Sequence, residues 1–143
     1  MSHVLSVVLF FEGGLSPADR PDREDIPAHP DYLYHATNTE RLHDIIDAGK
    51  LDVHGPRYGT DQSEWPDGSR KKRAYWTHEP KIARNFYPEE GSPALIRAKH
   101  VDLGAKREST GDHYTERPTP IHKLEYYGGE GKWKSLHYEE EPK

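Results

Sequence analysis

The chain of 143 residues contains no cysteine, and this absence excludes several kinds of chemistry. A disulfide framework, a thiolate-bound zinc ion and a cysteine nucleophile are all ruled out. Hydrophobic residues are scarce as well, at 32% against 31% charged residues, with 12 Gly and 12 Pro. This composition predicts one loop-rich domain over residues 1–143 with a small core.

A long hydrophobic run is also missing. The only strongly apolar stretch is Val4–Phe11, with the sequence VLSVVLFF. It is far shorter than the roughly 20 residues that span a bilayer, and no Lys or Arg precedes it as in a signal peptide. We therefore interpret it as a buried strand and expect no membrane partner. The lack of a targeting segment favours a cytoplasmic location.

The chain has no excess of positive charge, since its net charge is −5. A general electrostatic attraction to nucleic acid is therefore not favoured. One basic run, Arg70–Arg73, is the exception. Runs of this kind are usually solvated loops, and we interpret this one so; contact with phosphates of a nucleotide or a nucleic acid is the alternative.

Several common motifs are absent from the sequence. There is no G-x-G-x-x-G, no P-loop and no G-x-S-x-G, so Rossmann, NTPase and α/β-hydrolase folds lose their main support. Neither His35 with His43 nor His113 with His122 has a recognised ligand spacing, so we expect no metal site.

The segment from Tyr32 onward carries the clearest secondary-structure pattern. Tyr32–His35 is typical of a strand, and Thr37 with Glu40 has the spacing of a capping box. A helix over about 38–48 should follow and end at Gly49. Proline-rich and polar stretches at 12–31 and 54–73 predict long loops, and residues 139–143 predict a loose tail.

The second half of the chain predicts further short elements. We expect a strand at 74–77 and a helix at about 80–87 that turns Phe86 to the same side as Ile82 and Ala83. A buried strand at 94–98, continued by Val101 and Leu103, precedes a polar and irregular stretch at 104–118. The segments 121–127 and 132–136 flank Gly128–Gly131, which is typical of a hairpin.

Two of these segments resemble the NAD-binding motifs of a known superfamily. The first is Leu33-Tyr34-His35-Ala36-Thr37 with its following helix, and the second runs from Ala74-Tyr75-Trp76-Thr77 to Phe86. Their order and spacing resemble the ADP-ribosyltransferase superfamily, in its histidine–tyrosine–glutamate branch of poly(ADP-ribose) polymerases and diphtheria-type toxins. The resemblance covers roughly residues 32–98 and extends more weakly to about residue 127.

The resemblance implies a fold and a set of roles. It implies a small α+β domain with a split, mostly antiparallel sheet and NAD in the cleft between its halves. His35 would anchor a ribose of NAD, while the backbone near Ala36 and Thr37 would read the carboxamide. Tyr75 would pack on the nicotinamide ring, with Phe86 on its other side.

The catalytic carboxylate is where the chain departs from the pattern. The family places a glutamate at the start of a later strand, and the corresponding region here is 111–121. Glu116 is the nearest glutamate, and we predict it as the catalytic residue. By register, His113 or Asp112 could occupy the position instead, and Glu125 lies later in a predicted strand.

The resemblance implies an activity and leaves alternatives open. The predicted activity is transfer of ADP-ribose from NAD to a macromolecular acceptor, protein or nucleic acid, with release of nicotinamide. By analogy, a small member of this kind would be a bacterial or phage effector or toxin. The alternatives are a catalytically inactive module that binds NAD, ADP-ribose or a partner, an NAD glycohydrolase, and an RNA 2′-phosphotransferase-like enzyme.

Overall fold

The computed structural model describes residues 20–55, 65, 68–108 and 111–136. Within them the chain forms a small α+β fold whose sheets are antiparallel, which is the fold class that the resemblance implied. The predicted strand at 4–11 and the predicted loose tail at 139–143 lie outside the described residues.

Nine short strands form three sheets in this part of the chain. The strand orders are β1-β4-β8-β9, β3-β6-β5 and β2-β7. The strands are β1 (Tyr32–Asn38), β2 (Lys50–Leu51), β3 (Ala74–Trp76), β4 (Pro93–Lys99), β5 (Lys106–Arg107), β6 (His113–Thr115), β7 (Thr119–Pro120), β8 (Glu125–Tyr127) and β9 (Trp133–Ser135). The α-helices are α1 (Thr39–Ala48), α2 (Pro80–Ala83) and α3 (His100–Leu103).

Strands β1 and β4 form the longest ladder of the four-stranded sheet. They pair over their full length, from Tyr32 opposite Lys99 to Asn38 opposite Pro93. Because side chains alternate along a strand, Leu33 lies on one face and Tyr34 on the other, and both are completely buried. The sheet is therefore covered on both faces. The larger core lies on the Leu33 face and includes Leu42, Trp76, Ile96, Leu124, Tyr126 and Leu136.

Helix α1 follows β1 directly, but it begins one residue later than the capping-box spacing predicted. Thr37 is held in the ladder opposite Ala94 and is buried, so it stays in strand conformation. Asn38 is the N-cap instead, and its side chain accepts a hydrogen bond from the backbone of Arg41. The predicted stop at Gly49 is confirmed, with φ of 78°, a left-handed conformation that glycine adopts without strain.

The helix predicted at 80–87 is shorter in the structure, because α2 ends at Ala83. Tight turns follow, in which the amide of Phe86 bonds the carbonyl of Ala83 at 2.9 Å. These turns move Phe86 away from the side of the helix that Ala83 buries, and the Phe86 side chain is 54% exposed. The prediction that Phe86 faces the same side as Ala83 on a helix was wrong.

The stretch 101–118 also differs from the prediction. Val101 and Leu103 belong to helix α3, which ends at Gly104, and not to a continued strand. The region predicted as irregular contains β5 and β6, which pair with each other. The alternation of buried and exposed residues could not be recognised in the sequence, because each strand is only two or three residues long. The predicted hairpin, by contrast, is confirmed by the pairing of β8 with β9. Its first arm is shorter than predicted, because Ile121–Lys123 forms a 3-10 turn.

The proline-rich stretch before β1 packs against the domain in its described part. Pro21–Arg23 forms a 3-10 turn, and Ile26 is buried in the smaller core with Tyr34 and Leu95. The Tyr127 hydroxyl donates a hydrogen bond to Glu24 at 2.9 Å. No helix in the described ranges is long and apolar enough to cross a membrane.

Asn38 is predicted to stabilise the junction between β1 and α1 in two ways. Its carbonyl oxygen caps α1, and its amide donates to the carbonyl of Glu90 at 2.9 Å. We expect Asn38→Ala to lower the free energy of unfolding by about 1–2 kcal/mol in urea denaturation. Asn38→Asp keeps the capping acceptor and should lose less. Equal stability of the alanine variant and the native chain would contradict this account.

Candidate functional site

Strands β1 and β3 bring the two larger sheets together at a single bridge. The backbones of Tyr34 and Thr77 exchange hydrogen bonds of 2.7 and 2.8 Å. Beyond this bridge no further ladder pair between β1 and β3 is formed among the described residues. The next residue of β1 is His35, so the imidazole lies where the two strands separate.

The His35 side chain spans this separation. Its Nδ1 lies 2.8 Å from the backbone carbonyl oxygen of Tyr75. A carbonyl only accepts, so Nδ1 must donate, and Nε2 is left as an acceptor whenever the ring is neutral. Burial lowers the pKa of His35, which favours the neutral ring. The arrangement therefore presents an acceptor nitrogen that suits a hydroxyl group of a ligand.

The hydroxyl of Tyr75 is fixed by a buried ion pair. It donates to Glu108 at 2.6 Å and accepts from Arg73 at 3.0 Å, and Arg73 and Glu108 are themselves 2.9 Å apart. The two charged side chains are 3% and 0% exposed. Burial, followed by the bond to Glu108, raises the pKa of Tyr75. Tyr75 thus offers a fixed aromatic ring and not an acid or a nucleophile.

Other rings extend the wall that Tyr75 begins. The centroid of Trp65 lies 4.8 Å from that of Tyr75, and His54 lies 5.7 Å from Trp65. The centroid of Tyr114, the cross-strand partner of Tyr75, lies 6.0 Å from that of Tyr75, and the Arg73 guanidinium lies 3.8 Å above the Tyr114 ring. A wall of this kind suits a flat, conjugated ligand such as a nicotinamide or a nucleobase.

Glu116 lies at the surface on the same side as this wall. Lys106, Tyr114 and Tyr75 are aligned across β5, β6 and β3, so their side chains share one face of the sheet. Glu116 accepts a hydrogen bond from Lys106 at 2.7 Å, and its side chain is 25% exposed. This bond and the charges of Lys106, Lys71 and Arg73 lower the pKa of Glu116.

Glu125, the later alternative carboxylate, lies on the other face of the four-stranded sheet from His35. It is paired with Arg97 at 2.7 Å, and the register sets both beside Tyr34. His35 is aligned with Ile96 on the opposite face. The Arg97 guanidinium also lies over the Trp133 ring at 4.3 Å. Glu125 is therefore occupied by its salt bridge with Arg97.

His113, the other alternative, lies opposite Trp76 in the β3–β6 ladder. Its ring contacts that of His100 at 5.5 Å and that of His78 at 6.4 Å. Burial is the largest influence that lowers the pKa of His113, followed by the charge of His100. Asp112 uses its carbonyl to accept a hydrogen bond from the backbone of Glu108 at 2.7 Å.

The remaining predicted binding residues are spread around the His35 junction. Ala36 is half-buried beside the smaller core, and Thr37 is only 2% exposed. Phe86 is exposed on the turn after α2. The structure thus brings the His35 ring to the backbone of Tyr75. Trp65 and Tyr114 are aromatic residues whose rings contact that of Tyr75, each in a tilted arrangement.

Sequence reasoning missed the ion pair under Tyr75 and the rings beside it. Glu108 lies in a stretch with no visible alternation, so nothing in the local sequence marks it as buried. Trp65 carried a usable signal, because a tryptophan within a polar, glycine-rich loop usually packs against something. Its indole nitrogen donates to the carbonyl of Lys71 at 2.6 Å, which holds the loop against the site.

Residues 20–55, 65, 68–108 and 111–136 contain no group of three or more His, Asp or Glu side chains placed to hold a metal ion. Comparisons with protein-family models, with curated proteins and with solved structures give no match for this chain.

The Arg73–Glu108 pair is predicted to be strongly coupled. We expect Arg73→Met and Glu108→Leu each to lower the free energy of unfolding by about 3 kcal/mol, because each leaves a buried charge unpaired. The double variant should lose clearly less than the sum of the two. Urea denaturation of the four proteins measures this coupling. Additive losses would contradict a buried ion pair.

Proposed function

We propose that this chain transfers ADP-ribose from NAD to a macromolecular acceptor. A nucleophilic atom of the acceptor attacks C1 of the ribose that carries nicotinamide, and the bond from C1 to the ring nitrogen breaks. The bonding electrons go to nicotinamide, which leaves neutral, and the acceptor loses one proton. The developing state has oxocarbenium character, so a nearby carboxylate and a fixed ligand pose accelerate it.

One observation carries this proposal: where two sheets separate, the His35 ring is bonded to the backbone of Tyr75, whose own ring is fixed by Glu108. The Nδ1 bond of His35 to the Tyr75 carbonyl sets the imidazole so that Nε2 can accept from a ribose hydroxyl. The ring of Tyr75, anchored by Glu108, offers a surface for nicotinamide. These are the roles that the resemblance to the ADP-ribosyltransferases assigns to the two residues.

Among the glutamates, Glu116 remains our choice for the carboxylate that faces the developing charge. It shares the Tyr75 side of the β3–β6–β5 sheet and is accessible, and its ionised form is favoured by Lys106. Glu108 is closer to Tyr75, but its side chain is fully buried and is occupied by Arg73 and the Tyr75 hydroxyl. We therefore assign Glu108 to positioning Tyr75.

A second candidate is a module that binds NAD or ADP-ribose without reaction. The observation that favours it is the ion pair of Glu116 with Lys106, which occupies one oxygen of the proposed catalytic carboxylate. Binding by His35 and Tyr75 would be retained in such a module. NAD hydrolysis is the further variant, with water as the acceptor.

A label-transfer assay is predicted to separate these functions. The full-length chain is mixed with a cell lysate and with NAD that carries radioactive phosphate on its adenylate part. We expect labelled macromolecules, and we expect His35→Ala to reduce the label more than 100-fold, on the order of the loss of an essential contact. Protease and nuclease treatment of the product then identifies the class of acceptor.

Matched variants make the result specific. His122→Ala replaces an exposed histidine on another turn and should keep the activity. Glu116→Gln should lose about 100-fold or more, whereas Glu125→Gln should keep the chemical step. Label that does not depend on His35 would contradict the proposed site. If calorimetry shows that NAD binds, while NAD stays intact and no label is transferred, the binding module is supported instead.

A further inference from the structure

Several exposed cations lie beside the Tyr75 wall, although the chain as a whole is acidic. The chain carries a net charge of −5, yet all four residues of the run Arg70–Arg73 are basic. Arg73 belongs to the buried ion pair, whereas Lys71 and Lys72 are exposed. The loop that carries them leads directly into β3 and Tyr75.

Lys106 on the edge strand β5 extends this positive surface. It is aligned with Tyr114 on β6, which in turn is aligned with Tyr75 on β3. Two strand spacings separate Lys106 from Tyr75, which corresponds to about 10 Å. Lys106 is 63% exposed and forms an ion pair with Glu116 at 2.7 Å. The charge of Lys71 also contributes to the lowered pKa of Glu116. We call Lys71, Lys72 and Lys106 the basic rim.

We propose that the basic rim binds the phosphate backbone of single-stranded nucleic acid and that such a strand is the acceptor of the transferred ADP-ribose. This inference rests on the proposed function and specifies its substrate. Lysines on an edge strand contact phosphates without reading sequence. A single strand is favoured over a duplex because a base or a strand end must reach C1 of the ribose that is held beside Tyr75, and a duplex hides its reactive atoms.

Binding is measured by the fluorescence anisotropy of a labelled single-stranded oligonucleotide of about 12 nucleotides, with the full chain and without NAD. We expect Lys71→Gln/Lys106→Gln to weaken binding about tenfold or more near 50 mM salt. For a single strand, each phosphate contact adds about 0.7 to the steepness of the plot of log K against log salt concentration. The double variant removes two such contacts, so its slope should be less steep by about 1.4. Glu116→Gln should tighten binding, since it removes the negative charge that is paired with Lys106.

A control variant loses the same two positive charges as Lys71→Gln/Lys106→Gln but leaves the basic rim intact. Lys81→Gln/Lys132→Gln removes two exposed lysines on α2 and on the β8–β9 loop, and it should change the affinity less than twofold. Equal effects of the two double variants would overturn the proposal. So would equal affinity for poly-glutamate, tighter binding of a duplex, or no binding by the native chain at low salt.

The failure of this inference can be told apart from the failure of the proposed function. Suppose that the label depends on His35, resists nuclease and is removed by protease, and that the oligonucleotide does not bind. That result would support the transferase and overturn the nucleic-acid acceptor. Oligonucleotide binding that depends on the basic rim, without any label transfer, would support the surface and contradict the reaction. Transfer of label to the oligonucleotide itself, lost in Lys71→Gln/Lys106→Gln, would support both.

Discussion

The hydrogen bond from His35 Nδ1 to the Tyr75 carbonyl is the interaction on which the site depends. Strands β1 and β3 pair only at the Tyr34–Thr77 bridge among the described residues and then separate. The imidazole spans the gap that a continued ladder would have closed. One side chain thus connects the two sheets and at the same time directs its second nitrogen away from the backbone. This geometry explains why a histidine, with two distinct nitrogen atoms, suits this position.

The second constraint is the buried ion pair beneath Tyr75. An isolated buried charge would be very unfavourable, so Arg73 and Glu108 stabilise the fold only together. The Tyr75 hydroxyl satisfies part of their hydrogen-bonding capacity, and the Tyr114 ring covers the guanidinium. The aromatic wall is therefore rigid at its base. The charges that remain at the surface, on Lys71, Lys106 and Glu116, lie beside that wall and not within it.

Several elements were predictable because their signal is local. The periodicity of Leu42 and Ile45 with a following Gly49 predicted α1, and the Gly128–Gly131 loop predicted the hairpin. The resemblance assigned His35 and Tyr75 to one NAD site, but it did not indicate the hydrogen bond from the His35 ring to the Tyr75 carbonyl. Glu108 was not predictable, because its burial comes from strands only two or three residues long whose partners are distant in sequence. The exposure of Phe86 was missed because tight turns ended α2 where apolar spacing favoured another helical turn.

The most direct measurement is the protonation of the His35 ring by NMR, with nitrogen-15 in the imidazoles and His35→Ala for assignment. The account predicts a neutral ring at pH 7, protonated at Nδ1, with a pKa below the ordinary value of about 6.5. Saturating NAD should shift the Nε2 resonance, because that nitrogen would accept from a ribose hydroxyl. A ring protonated at Nε2, a charged ring at pH 7, or an Nε2 resonance unchanged by bound NAD would contradict the account.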